Sequence, residues 1–237
     1  MKFRFLAALA AAGAAAFVAA GSAGAAQDSA CSNGILASGI YLNVTVNSFC
    51  STSGSVLIRG NLTVNGGGVF NTSGGSVFVA GSVAVFPTGV LNLVESTVLH
   101  GVSADRATSV IVAADEIDGG VQILGGGGGP AGSCLRTDVP GTGIPEAVVA
   151  ENEIGGSVNV GSYRGCVAAV IENLIGGSLS FVNNTVGAPD GNIIGSNLIT
   201  HNLFCKGNVP DPSLNIFGLN SVGGSVNFPG QCVDLVP

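Results

Sequence analysis

The sequence predicts an all-β protein built as a three-sided parallel β-helix, and three observations lead there. The first is a repeated phrase. Glu151-Asn152-Glu153-Ile154-Gly155-Gly156-Ser157-Val158 returns, position for position, as Glu172-Asn173-Leu174-Ile175-Gly176-Gly177-Ser178-Leu179. A third version closes the chain as Asn220-Ser221-Val222-Gly223-Gly224-Ser225-Val226-Asn227-Phe228. The offset sets a coil of about 21 residues, and repetition at such a period means stacked units rather than a closed globule. The second is a finer rhythm between Gly54 and His100. Apolar anchors fall at Val56, Leu62, Val69, Val77, Val83, Val90 and Val98, with gaps of 6, 7, 8, 6, 7 and 8, so each triplet advances by that same coil. The third is composition: 39 glycines, no tryptophan and only 9% charged residues describe short Val- and Ile-rich strands joined by tight corners.

Residues 1–26 read as an export signal that is removed. Lys2 and Arg4 supply a positive start, Leu6 to Ala20 an alanine-rich apolar run, and Ala23-Gly24-Ala25 a small-residue cleavage site. A membrane span needs ~20 strongly apolar residues, which this run does not reach. Residues 27–237 then form one solenoid domain. The mature chain keeps five basic residues against fourteen acidic ones, which takes the net charge from −7 to −9. That balance argues against nucleic acid and an anionic membrane surface as partners, since both demand clustered Lys and Arg.

Each coil contributes three strands. Runs such as Val56-x-Ile58, Leu62-x-Val64, Val77-x-Val79 and Val83-x-Val85 alternate, sending first and third side chains inward and the middle one outward. Val56, Val77 and Val98 are expected in one inward column, Val158 on Leu179, and Val160 on Phe181. Asn152 and Asn173, at equivalent corners, are expected to form an amide ladder. Right-handedness is the expectation for parallel connections. The repeat fails between residues 125 and 145, where a run of five glycines and three prolines mark a loop that leaves the stack.

Six cysteines in an exported chain read as disulfides. Stacking geometry selects among the pairings, because the ~4.8 Å step between coils falls within disulfide Cα separations. Partners should lie one coil apart, which gives Cys31–Cys50, Cys134–Cys166 and Cys205–Cys232.

Two carboxylate groups are candidates for chemistry. Glu151 and Glu172, one coil apart, are the candidate catalytic pair, at about the 5 Å separation of retaining glycosidases. Asp115, Glu116 and Asp118 before Gly119-Gly120 are the candidate cation site, suited to calcium. His100 and His201 lie too far apart to share a site, and the chain lacks the acid pairs and basic clusters of polysaccharide-cutting β-helices. The outward positions Leu57, Thr63, Phe78, Ala84, Asn159, Ser180 and Asn227 form a mixed set, in which Leu57 and Phe78 suggest an apolar contact patch for a partner or for self-association. Asn43, Asn61, Asn71 and Asn183 stand in glycosylation sequons.

The C-terminal third resembles a group of exported β-helix proteins of actinobacteria that share an Asn-Leu-x-Cys-x-Gly-Asn-x-Pro-x-Pro segment followed by Gly-Gln-Cys. Here these are Asn202-Leu203-Phe204-Cys205-Lys206-Gly207-Asn208-Val209-Pro210-Asp211-Pro212 and Gly230-Gln231-Cys232. The resemblance implies export and a β-helix and carries no activity. The expected function is a secreted or cell-surface solenoid with a structural, adhesive or binding role, contacting cell-wall or extracellular polysaccharide. The alternative is an extracellular polysaccharide-acting enzyme using the corner carboxylates.

Overall fold

A computed structural model describes residues 28–72, 74–128, 134, 145–227 and 229–237. The export signal and most of the loop between 125 and 145 lie outside the described residues. What is described is all β, with one short 3-10 turn at Val233–Leu235 and no α-helix. Every strand pairing is parallel, as three strands per coil require. Face one is a nine-stranded sheet that begins with β1 (Ser29–Cys31), continues through Val44–Val46, Leu62–Val64 and Val83–Val85, and ends at Leu203–Lys206. Faces two and three belong to one 15-stranded sheet, because β2 (Gly34–Tyr41) and the long strand Phe49–Ile58 run across the corner between them.

The register follows the repeat where the repeat is strict. Val56 pairs with Val77, Val158 with Leu179 and Val160 with Phe181, and all six side chains are buried. Stacking like on like removes each inward side chain from water, about 1.5–3 kcal/mol for a fully buried Val or Leu. Three anchors depart from expectation. Val98 pairs with Val79, not Val77, because the coil that leads to it is shorter than the one before. On face two Val69 and Val90 are half-exposed, and the next residues, Phe70 and Leu91, fill the core. A one-residue phase change exchanges inner and outer faces.

Coil length varies elsewhere without disturbing the stack. The excursion after residue 125 lengthens the step from Glu116 to its partner Glu153, and a smaller insertion lengthens that from Leu174 to Leu198. Pairing resumes in register at the next face after each insertion. The glycines of the repeated phrase are required by crowding rather than by φ: a Cβ on Gly156 would lie 2.8 Å from the backbone of Gly119, and one on Gly177 would lie 2.8 Å from that of Gly156.

The ends are fastened differently. Cys31–Cys50, Cys134–Cys166 and Cys205–Cys232 are the disulfides, with Cα separations of 5.8, 5.2 and 5.5 Å. At the C-terminus the Asn220 N–H and Nδ2 both donate to the Leu235 carbonyl, at 2.9 and 3.0 Å, so the last residues close the stack. At the N-terminus β1 and β2 are terminal strands, each paired on one side among the described residues.

Candidate functional site

The candidate catalytic pair sits on the corner between faces two and three. In five successive coils the residue entering this corner is left-handed: Glu95, Ala114, Glu151, Glu172 and Ser196 have φ of 52, 55, 58, 57 and 56°. Such a conformation costs non-glycine residues about 1–2 kcal/mol, and the ladder that follows holds it in place. Glu151 and Glu172 are adjacent in this column and exposed. They line none of the three depressions described below.

The residue after each left-handed one points inward and builds the ladder. Asn152 Nδ2 donates to Asn173 Oδ1, Asn173 Nδ2 to Asn197 Oδ1, and Asn197 Nδ2 to Asn220 Oδ1, each at 2.9 Å. Each Oδ1 also accepts the backbone N–H of the coil before, at 3.0–3.1 Å. Each Nδ2 gives its second hydrogen to a backbone carbonyl: Val112 for Asn152, Val149 for Asn173 and Val170 for Asn197. A second amide ladder, Asn184–Asn208–Gln231, follows face one.

Asp115 occupies the rung before Asn152. Its Oδ1 accepts the Ser96 N–H at 2.7 Å, and its own N–H donates to Asn152 Oδ1 at 2.9 Å, as an asparagine would. Its Oδ2 takes the place of the amide nitrogen, buried and with no hydrogen-bond partner. Desolvation pushes its pKa up to about 7, against backbone hydrogen bonds from Ser96 and Ala113 that pull it down. Asp115 therefore belongs to the core, whereas Glu116 and Asp118 are exposed, so the structure does not bring the three candidate cation ligands together. Among the described residues no group of three His, Cys, Asp or Glu side chains converges as a metal site.

Glu116 instead stands in register with Glu153 of the next coil, on the outer surface of face three. With Asp118, Leu174 and Thr200 they line an open groove of about 240 Å³. A constant offset could not reveal this pair, because the excursion after residue 125 stands between its members. His100 and His201 lie four coils apart, their Nδ1 atoms against the carbonyls of Ala80 and Gly176. Elsewhere, burial raises the pKa of Glu146, and burial with the nearby Glu146 charge raises that of Tyr163, whose hydroxyl donates to Thr108 O at 2.9 Å.

The outward positions, mixed when read along the chain, become ordered once sorted by face. Leu57 and Phe78 pair with each other on face three. Face one carries Thr45, Thr63, Ala84, Ser103, Gln122, Asn159 and Ser180 in unbroken register, followed by Phe204. The first seven are small or amide side chains without charge. Beside them runs a hydrogen-bonded corner: Asn43 and Asn61 accept the N–H of Asn61 and Ser82, and Ser157 and Ser178 those of Ser178 and Asn202. A shallow depression of about 360 Å³ opens on this face beside Ser103, Gln122 and Asn159, and Asn159 Oδ1 has no partner. At the end of the rank the half-exposed Phe204 borders a larger depression of about 700 Å³ with Lys206, Asp211 and Gln231.

A scan against protein-family models, a search of curated proteins and a search of solved structures each find no match to this chain.

Proposed function

We propose that this is an exported, non-catalytic binding protein whose face one docks an extended extracellular polysaccharide, such as a cell-wall glycan. The observation that carries the reading is the rank from Thr45 to Ser180, seven uncharged side chains in register at the ~4.8 Å coil step. A linear glycan is a rod of hydroxyls with apolar ring faces. Hydroxyl and amide side chains pair with the former, and Phe204 at the end of the rank offers a surface for the latter. Absence of charge along the rank suits a neutral polymer, and an open face suits binding along a chain rather than enclosure of a small molecule. Three disulfides fit an extracellular setting. No helix among the described residues is long and apolar enough to cross a membrane.

The test is co-sedimentation of the secreted protein with insoluble glucan, chitin and peptidoglycan. Phe204→Ala and Gln122→Lys, both at exposed positions, should each lower retention with unchanged melting temperature. Retention by no glycan, or retention indifferent to both substitutions, would overturn the reading.

A further inference from the structure

The two ends of the stack are not equivalent, and the difference points to a partner. The C-terminal end is closed by its own chain. Leu235 is buried, its carbonyl takes two hydrogen bonds from Asn220, and Gln231 completes the second ladder. The N-terminal end is open among the described residues. Ser29 donates to Asn43 O, and Cys31 O accepts the Asn47 N–H, so β1 bonds inward at its first and last residues. The groups of Ala30 between them face the open edge, as alternation in a parallel pair requires. Tyr41 O likewise accepts the Arg59 N–H, which leaves the backbone of Ile40 facing outward.

Such edges are normally blunted by lysine, proline or charge, because unpaired strands recruit other strands. Within β1 and β2 themselves there is none of these. From Ser29 to Val94 the only charged residue is Arg59, and the edge carries exposed Ile35, Ile40 and Leu42, at 67, 41 and 43% exposure. The acidic residues begin again at Glu95 and continue to Asp234.

We propose that the secreted protein forms a head-to-head dimer through β1 and β2, with a second copy of this chain as the occupant of the edge. The partner follows from the asymmetry of the ends. A copy adding head to tail would need the C-terminal end, which is already closed, so the open end meets its own kind about a two-fold axis and growth stops at two. An axis through Ala30 and the corner at Ser38 lays β1 antiparallel on its copy and sets the two arms of β2 against each other's. Charge selects the same geometry. Two chains of net charge −9 repel least when they meet at the ends that carry almost no charge, with the acidic coils pointing apart. This surface is the end edge of the stack, not the outward rank from Thr45 to Ser180, and shares with the glycan reading only the removal of the export signal.

Sedimentation velocity of the secreted protein over a dilution series provides the test. The expected species is twice the monomer mass, persisting at high salt. Ala30→Pro and Ile40→Lys should each weaken the dimer by at least about tenfold, since one removes an outward N–H and the other places charge on the edge. Ile216→Lys, at a residue 88% exposed near the opposite end, should leave it unchanged. Circular dichroism melting of each variant separates loss of the dimer from loss of the fold, and Ile40→Lys, on an exposed side chain, remains informative if Ala30→Pro does not fold. A monomeric wild-type protein, a dimer indifferent to both edge variants, or one broken by Ile216→Lys overturns the proposal. Glycan retention measured on the same variants keeps the two readings apart, because the rank from Thr45 to Ser180 and Phe204 are unaltered in all of them.

Discussion

Replacing Asp115 by asparagine should stabilise this protein at neutral pH, and the size of the gain follows from the ladder. The wild-type carboxyl reproduces two of the bonds an asparagine would make and leaves Oδ2 buried without a partner. Burial raises its pKa from 3.8 to about 7. With the folded-state value above the unfolded one, folding takes up a proton between those limits. Stability is therefore fullest below about pH 4, falls by roughly 1.4 kcal/mol per pH unit, and levels off above about pH 7. Separation by about three pH units makes the full penalty roughly 4 kcal/mol. The exposed carboxylates on this and the neighbouring coils, Glu95, Glu116, Asp118, Glu151 and Glu153, are common to both proteins and drop out of the comparison. Asp115→Asn removes the penalty and supplies an amide for the rung. Urea unfolding with disulfides intact should show the variant roughly 3–4 kcal/mol more stable at pH 8 and within about 0.5 kcal/mol of wild type at pH 4. Equal stability at both pH values would refute the reasoning, because Oδ2 would then have a partner or water.

Three further outcomes are expected. Asn173→Leu removes the partner of the Asn152 N–H and side chain, two buried donors, and should cost roughly 2–5 kcal/mol in urea unfolding; a change under about 1 kcal/mol would mean the ladder is incidental. Val77→Asp places a charge in a dry column between Val56 and the coil above; secretion of folded protein should fail, and a variant with unchanged melting would contradict the register. The purified protein should release no reducing ends from glucan, xylan or pectin; release abolished by Glu153→Gln, or by Glu172→Gln, with the fold retained would replace the binding reading by a hydrolase.

The fold was legible because stacking writes itself into the sequence. A column of like residues one coil apart appears as a fixed offset, so the Val158–Leu179 pair, the Asn152–Asn173 rung and the cysteine pairs could be read from spacing. What stayed hidden were the places where coil length changes. The shortened step to Val98 moved it to Val79, and the lengthened step after residue 125 concealed Glu116 beside Glu153. Face one was hidden for a different reason: Leu57 and Thr63 are both outward and close in sequence, yet lie on different faces, and no local pattern says which outward residues share a plane. Asp115 was misread because adjacency in sequence suggested a shared corner with Glu116, when its side chain continues a ladder whose other rungs are asparagines.

That ladder also bears on the proposed binding face. Early coils use hydroxyls at this corner, with Thr72 Oγ1 accepting from Val94 N–H at 2.8 Å, whereas Asn152, Asn173 and Asn197 each give one amide hydrogen to the next rung and one to a backbone carbonyl. Amide rungs fix the spacing of successive coils more tightly than a single hydroxyl, because each is held from both sides. Face one gains from this, since a repeating polymer rewards side chains only while their spacing stays constant along the rank. The amide coils are those that carry Asn159, Ser180 and Phe204, beside the two depressions of this face. The opposite end has hydroxyls in place of amide rungs, fewer charges and an edge unpaired among the described residues, which is what a surface needs if its order is completed by a second copy.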